Sequence, residues 1–186
     1  MSPVLTVDSR TFRGFDVRNV NQPPKFSRAD QLHLDAAQGW LGLGDIASAN
    51  NELDEITREF QDHPAVLLVR CDICSHAKQW ESVVTLAETL VNAMPKERQG
   101  WIHRSFALHE LKRTQEAHDL LRPAADKFPR FWLIPYNLAC YCAQLGQLPE
   151  AREWLQKAIA LGDATVVKSM ARDDKDLQSL HSEISD

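Results

Sequence analysis

A repeat of 34 residues runs through most of this 186-residue chain and limits its possible folds more than any single motif does. Cutting every 34 residues from Asp30 gives four windows, 30–63, 64–97, 98–131 and 132–165. Offset 20 of the windows holds Ala49, Val83, Ala117 and Ala151; offset 24 holds Leu53, Ala87, Leu121 and Leu155; offset 27 holds Ile56, Leu90, Ala124 and Ala158. Positions four and three apart share one helix face, so the second half of each window predicts a helix with a narrow apolar seam. In the first half, Ala37, Cys71, Ser105 and Ala139 stand at offset 8, where a small side chain lets two helices approach closely. Polar or glycine-containing pairs separate the halves: Gly44-Asp45, Lys78-Gln79, Lys112-Arg113 and Gly146-Gln147. Each window therefore predicts a helical hairpin, and hairpins at a fixed period predict a stacked array.

The fourth window carries the fullest pattern, YNLACYCAQLGQLPEAREWLQKAIALGD, with Asn137, Leu138, Ala139, Gly146, Glu150, Ala151 and Ala158 at regular offsets. The third adds Trp101, Ala117, Leu121, Ala124 and Pro129. These residues resemble the tetratricopeptide repeat (TPR) family, whose units are hairpins of this length. The second window departs from the pattern at Lys78 and Val83, and the first has Gln61 in place of the terminal proline. The resemblance implies an all-α fold, a right-handed alpha-alpha superhelix whose first helices line a concave groove for extended peptides or partner helices.

Carried over residue by residue, the family's groove positions give Leu34, Gln38, Leu68, Asp72, His76, Ile102, Phe106, His109, Glu110, Tyr136 and Gln144 as candidate partner-binding residues. Leu34, Leu68, Ile102, Phe106 and Tyr136 are the expected apolar anchors, with Asp72, His109 and Glu110 as polar discriminators. The family's carboxylate clamp is not expected. In its place the first three windows supply Leu34, Gln38, Val69, Gln99 and His103, which lack the basic pair that a buried carboxylate requires.

Two flanks complete the chain. Residues 166–186 predict a C-terminal cap: Val167, Met170 and Ala171 share one helix face, and Asp173 or Asp174 is placed to cap a second short helix containing Leu177, Leu180 and Ile184. Residues 1–29 show no helical period and are expected to form an extended arm. Five basic residues against two acidic ones give the arm +3 in a chain of net charge -5, so docking of Phe12 and Phe15 along the array is a natural expectation.

The acidic balance argues against nucleic acid as a partner. No window approaches 18 apolar residues and no secretory pattern opens the sequence, so neither a membrane partner nor export is expected, and the reading is cytoplasmic with reduced thiols. Cys71 and Cys74 fall at packing offsets 8 and 11, and the i,i+2 spacing of Cys140 and Cys142 directs their side chains apart on a helix, so no metal centre and no cofactor is expected. The five tryptophans fall at unrelated offsets and suit interhelical packing. No phosphate loop, HExxH or GxSxG motif selects a catalytic residue, so the chain is not expected to be an enzyme. The expectation is noncatalytic protein or peptide binding through the groove, with a partner whose identity is open. The alternatives are a structural module that self-associates as a homodimer, or a regulatory accessory subunit.

Overall fold

The computed structural model describes residues 25–184, and among them the secondary structure is entirely helical. Four antiparallel hairpins follow one another: α1 (Arg28–Gly42) with α2 (Ile46–Glu55), α3 (Pro64–His76) with α4 (Trp80–Ala93), α5 (Arg98–Glu110) with α6 (Thr114–Lys127), and α7 (Leu133–Gln144) with α8 (Leu148–Leu161). A shorter helix α9 (Ala164–Asp173) and a 3-10 segment (Lys175–Glu183) close the C-terminal end. The odd-numbered helices touch their odd neighbours (α1 with α3, α3 with α5, α5 with α7), while the even-numbered ones make no comparable contact with one another. Stacking of that kind fans the even helices outward and leaves the odd helices on the inner surface of an α-solenoid.

The small residues at offset 8 explain the tight hairpins. Ala37, Cys71, Ser105 and Ala139 are all 0% exposed, as are Ala49, Val83, Ala117 and Ala151 on the second helices. Gly100 serves a close approach between α4 and α5: a Cβ there would lie 3.0 Å from the Val91 backbone nitrogen, which has no room to move. The interhelical turns share one backbone conformation. Gly44, Lys78, Lys112 and Gly146, each 34 residues from the next, all have positive φ, at 81°, 56°, 64° and 75°. Glycine adopts that region freely, whereas the two lysines hold it against the steric cost of a Cβ.

Side chains secure the starts of α1 and α3. Ser27 Oγ accepts from the Asp30 amide at 3.1 Å to cap α1, and His63 Nδ1 accepts from the Ala65 amide at 3.2 Å to cap α3, where Pro64 sets the first turn. Asp30, 2% exposed, accepts from Ser27 Oγ at 2.6 Å and from the Thr57 amide at 2.8 Å, tying the start of α1 to the end of α2. Those bonds hold its carboxyl low, at about 2. Gln61, where the family has proline, performs a different task. Its amide nitrogen donates to the carbonyls of Leu53 at 2.9 Å and Ile56 at 2.6 Å, satisfying groups left open by the early end of α2.

The core is divided. One cluster joins α1, α2 and the facing side of α3 through Leu34, Leu53, Phe60, Val66 and Ile73; a small one joins α3 to α4 through Leu67, Leu68, Cys71, Ala87 and Leu90. The largest runs from α4 to the 3-10 segment. At the C-terminal end Val167 and Ala171 of α9 are buried, with Leu177 and Leu180 of the 3-10 segment beyond them. Asp174 rather than Asp173 caps that segment, accepting from the Asp176 amide at 3.0 Å. The expected arm falls mostly on residues 1–24, including Phe12 and Phe15, which lie outside the described residues. From residue 25 on, Phe26 packs against Phe60 and His63 at ring separations of 5.1 and 4.3 Å.

Candidate binding groove

The inner surface divides into two parts. Toward α7 it is taken up by the chain's own C-terminal segment. Asp174, 1% exposed, accepts from Tyr136 Oη at 3.0 Å and faces Cys140 Sγ at 3.6 Å. One turn on, Asp176 meets His109 Nε2 at 3.0 Å, while its carbonyl accepts from the Gln144 amide nitrogen at 3.0 Å. His109 Nδ1 pairs with Thr114 Oγ1 at 3.0 Å and its ring lies 4.9 Å from that of Tyr141, so both imidazole nitrogens are engaged. Burial and the nearby acid groups push the Cys140 thiol well up, which makes it an inert packing residue. A salt bridge from Arg152 of α8 to Glu183, at 2.6 Å, fastens the far end of the segment.

Three of the sequence-derived candidates, His109, Tyr136 and Gln144, are thus brought together by this segment. Tyr136 is 0% exposed, its hydroxyl spent on Asp174, so it presents no surface as an anchor. The other four anchors, Leu34, Leu68, Ile102 and Phe106, are also buried and pack between helices. Phe106 meets Trp80 edge-on at 5.7 Å. An inner helix in a closely stacked array turns its apolar stripe toward its neighbours, which is why these positions supply packing and not open contact area.

Apart from His109, which is buried with both ring nitrogens engaged, the polar candidates on α1, α3 and α5 remain reachable. Gln38, Asp72 and Glu110 are half-buried and His76 is exposed. Asp72 of α3 meets His103 of α5 across the inner surface, Oδ1 to Nε2 at 3.4 Å, with 44% of the Asp72 side chain open to solvent. Burial raises its carboxyl while His103 and His76 pull it back down. His103 Nδ1 has no hydrogen-bond partner although it is buried. The repeat pattern brings in His103 only as a clamp position that lacks the basic pair, not as a groove residue. Its signal was its position at offset 6, one unit beyond an acid at offset 9.

Among the described residues no helix is long and apolar enough to cross a membrane.

This architecture defines a TPR-like α-solenoid. No protein-family model matches the sequence, and no curated protein matches it. Solved structures share the fold. The portion of MamA from residue 41 onward, from Desulfovibrio magneticus RS-1, superposes with a TM-score of 0.67 at 19% identity, covering 86% of this chain and 93% of that one. A thermophilic TPR protein from Thermus thermophilus superposes with a TM-score of 0.67 at 20% identity, covering 84% of each chain. Likeness at this identity establishes the fold alone.

Proposed function

We propose that the chain is a noncatalytic module that binds an extended protein segment along α1, α3 and α5, the part of the inner surface that its C-terminal segment leaves open. The observation supporting this reading is the half-exposed Asp72 beside His103, whose Nδ1 lacks a partner. A partly desolvated carboxylate on a concave surface favours a cationic side chain. The four hairpins 30–63, 64–97, 98–131 and 132–165 then have separate tasks: the first three present the binding face, and the fourth, with residues 166–186, closes the array.

The test is selection from a displayed peptide library on the full chain. Enriched peptides should carry Lys or Arg, and Asp72→Asn should weaken a selected peptide by about tenfold or more. Failure to enrich any peptide, or an affinity indifferent to Asp72→Asn, removes the reading.

A second reading, self-association, draws on the first hairpin, where Leu32, Trp40 and Leu43 are 61%, 39% and 78% exposed. A mass that rises with concentration in light scattering, and that Trp40→Ser holds at the monomer, would favour it.

A further inference from the structure

Away from the inner surface, three side chains of metal-ligating chemistry converge where the third and fourth hairpins join. His118 comes from α6, Cys142 from α7 and Glu150 from α8, and one ligand atom of each lies within 4.8 Å of the other two. Cys142 is fully buried, and the His118 side chain is 12% exposed.

The hydrogen bonding prepares this cluster for a cation. His118 Nδ1 lies 3.1 Å from Asp119 Oδ1 and donates its N–H to that carboxylate, which leaves the lone pair of the ring on Nε2. Pairing one imidazole nitrogen with a carboxylate is how metal-bound histidines are oriented. Nε2 is buried and has no hydrogen-bond partner. The nearest charged atom to which it is paired is Glu150 Oε1 at 3.8 Å, an oxygen already accepting from Trp154 Nε1 at 3.2 Å. With the ring neutral, Nε2 and Glu150 Oε1 are two acceptors facing one another, Nε2 buried and the Glu150 side chain 43% exposed, and a positive charge between them would satisfy both.

We propose that His118 Nε2, Cys142 Sγ and a Glu150 carboxylate oxygen bind a divalent transition-metal ion of the zinc class. The nitrogen, sulfur and oxygen donors match zinc's preferences, and three protein ligands leave a fourth position for water. Donors around tetrahedral zinc stand about 3.4 Å apart, so the 3.8 Å gap from His118 to Glu150 closes by a small side-chain movement. Burial, reinforced by the charge of Glu150, pushes the metal-free Cys142 thiol up to about 12. The entering ion displaces that proton to solvent, a coordinating thiol being deprotonated outright. Arg122, whose guanidinium stacks on Trp154 at 4.8 Å, opposes the ion, while the Asp119 and Glu150 carboxylates favour it. The ion would tie three helices of two hairpins together. This site was not legible as a motif, because its ligands lie at offsets 21, 11 and 19 of two different windows.

The experiment titrates cobalt(II), as a spectroscopic stand-in for zinc, into the metal-free full chain. One equivalent should give a thiolate-to-cobalt charge-transfer band in the near ultraviolet that zinc displaces. Cys142→Ala should abolish the band, Cys74→Ala should leave it intact, and Glu150→Gln or His118→Gln should weaken cobalt binding about tenfold or more. Absence of the band, its survival in Cys142→Ala or its loss in Cys74→Ala overturns the proposal. If Cys142→Ala fails to fold by circular dichroism, Glu150→Gln decides, and unchanged cobalt affinity there overturns the three-ligand site. Zinc should also raise the Tm of the parent chain and leave that of His118→Gln unmoved. No rise in the parent chain overturns the proposal.

Discussion

At the scale of single residues, the turn lysines hold a conformation that glycine adopts at no steric cost. Lys78 and Lys112 have φ of 56° and 64°, in the turn positions where the first and last hairpins carry glycine. Lys78→Gly and Lys112→Gly should each stabilise the fold by about 0.5–1 kcal/mol, the relief of a Cβ in the left-handed region less the added freedom of the unfolded chain. Urea denaturation midpoints measure it, and a loss in both variants would count against backbone strain at these turns. Asp30 gives a pH signature. Its carboxyl is held at about 2 against an ordinary value of 3.8, so the ionised group contributes stability above about pH 4, and that contribution fades as the pH falls toward 2. Asp30→Asn should therefore be less stable than the parent at neutral pH, with the difference closing across that window in urea titrations at stepped pH. The periodic sequence made the buried small residues and the turn positions legible, because packing and turn geometry repeat with the chain. It did not reveal Asp30, whose partner Thr57 stands 27 positions away.

At the scale of elements, the C-terminal segment decides how much of the inner surface is open. A helical face of Val167, Met170 and Ala171 and a capped stretch with Leu177 and Leu180 were readable from spacing. The contact of Asp174 and Asp176 with Tyr136, His109 and Gln144 was not, because spacing shows which residues face inward and says nothing about what lies over them. The segment is held on α7 by the buried Asp174 carboxylate as well as by the bond from Gln144 to the Asp176 carbonyl. Tyr136→Phe removes a donor from Asp174 with no change of shape and should cost about 1–3 kcal/mol, read from chemical denaturation. The same variant should speed proteolysis between residues 174 and 184, whereas cleavage there at the parent's rate would show that the remaining contacts (His109 and Gln144 with Asp176, Arg152 with Glu183, and the buried Leu177 and Leu180) hold the segment without it.

At the scale of the whole molecule, a stack whose units touch mainly their neighbours unfolds unevenly. The first hairpin is expected to be the weakest part. Its core cluster is shared only with α3, α2 has 10 residues where α4, α6 and α8 have 14, and Leu32 of α1 and Leu43 just after it are exposed. Hydrogen exchange should therefore release the amides of α1 and α2 first and those of α7 last. Uniform protection from α1 to α8 would mean that the divided core nonetheless melts as one body. The overall architecture was legible because a fixed period repeats the same packing problem four times. The closed end of the groove and the junction between α6, α7 and α8 were not, since both depend on residues distant in sequence.

The C-terminal segment also sets a direction for growth. A solenoid lengthens by copying a unit and laying it against an exposed face, but here α9 and the 3-10 segment already lie against α8, held by the buried Val167 and Ala171 and by the Arg152–Glu183 pair. A further unit added at that end would first have to displace its own terminator. Duplication or engineering can therefore lengthen this protein more readily between existing hairpins.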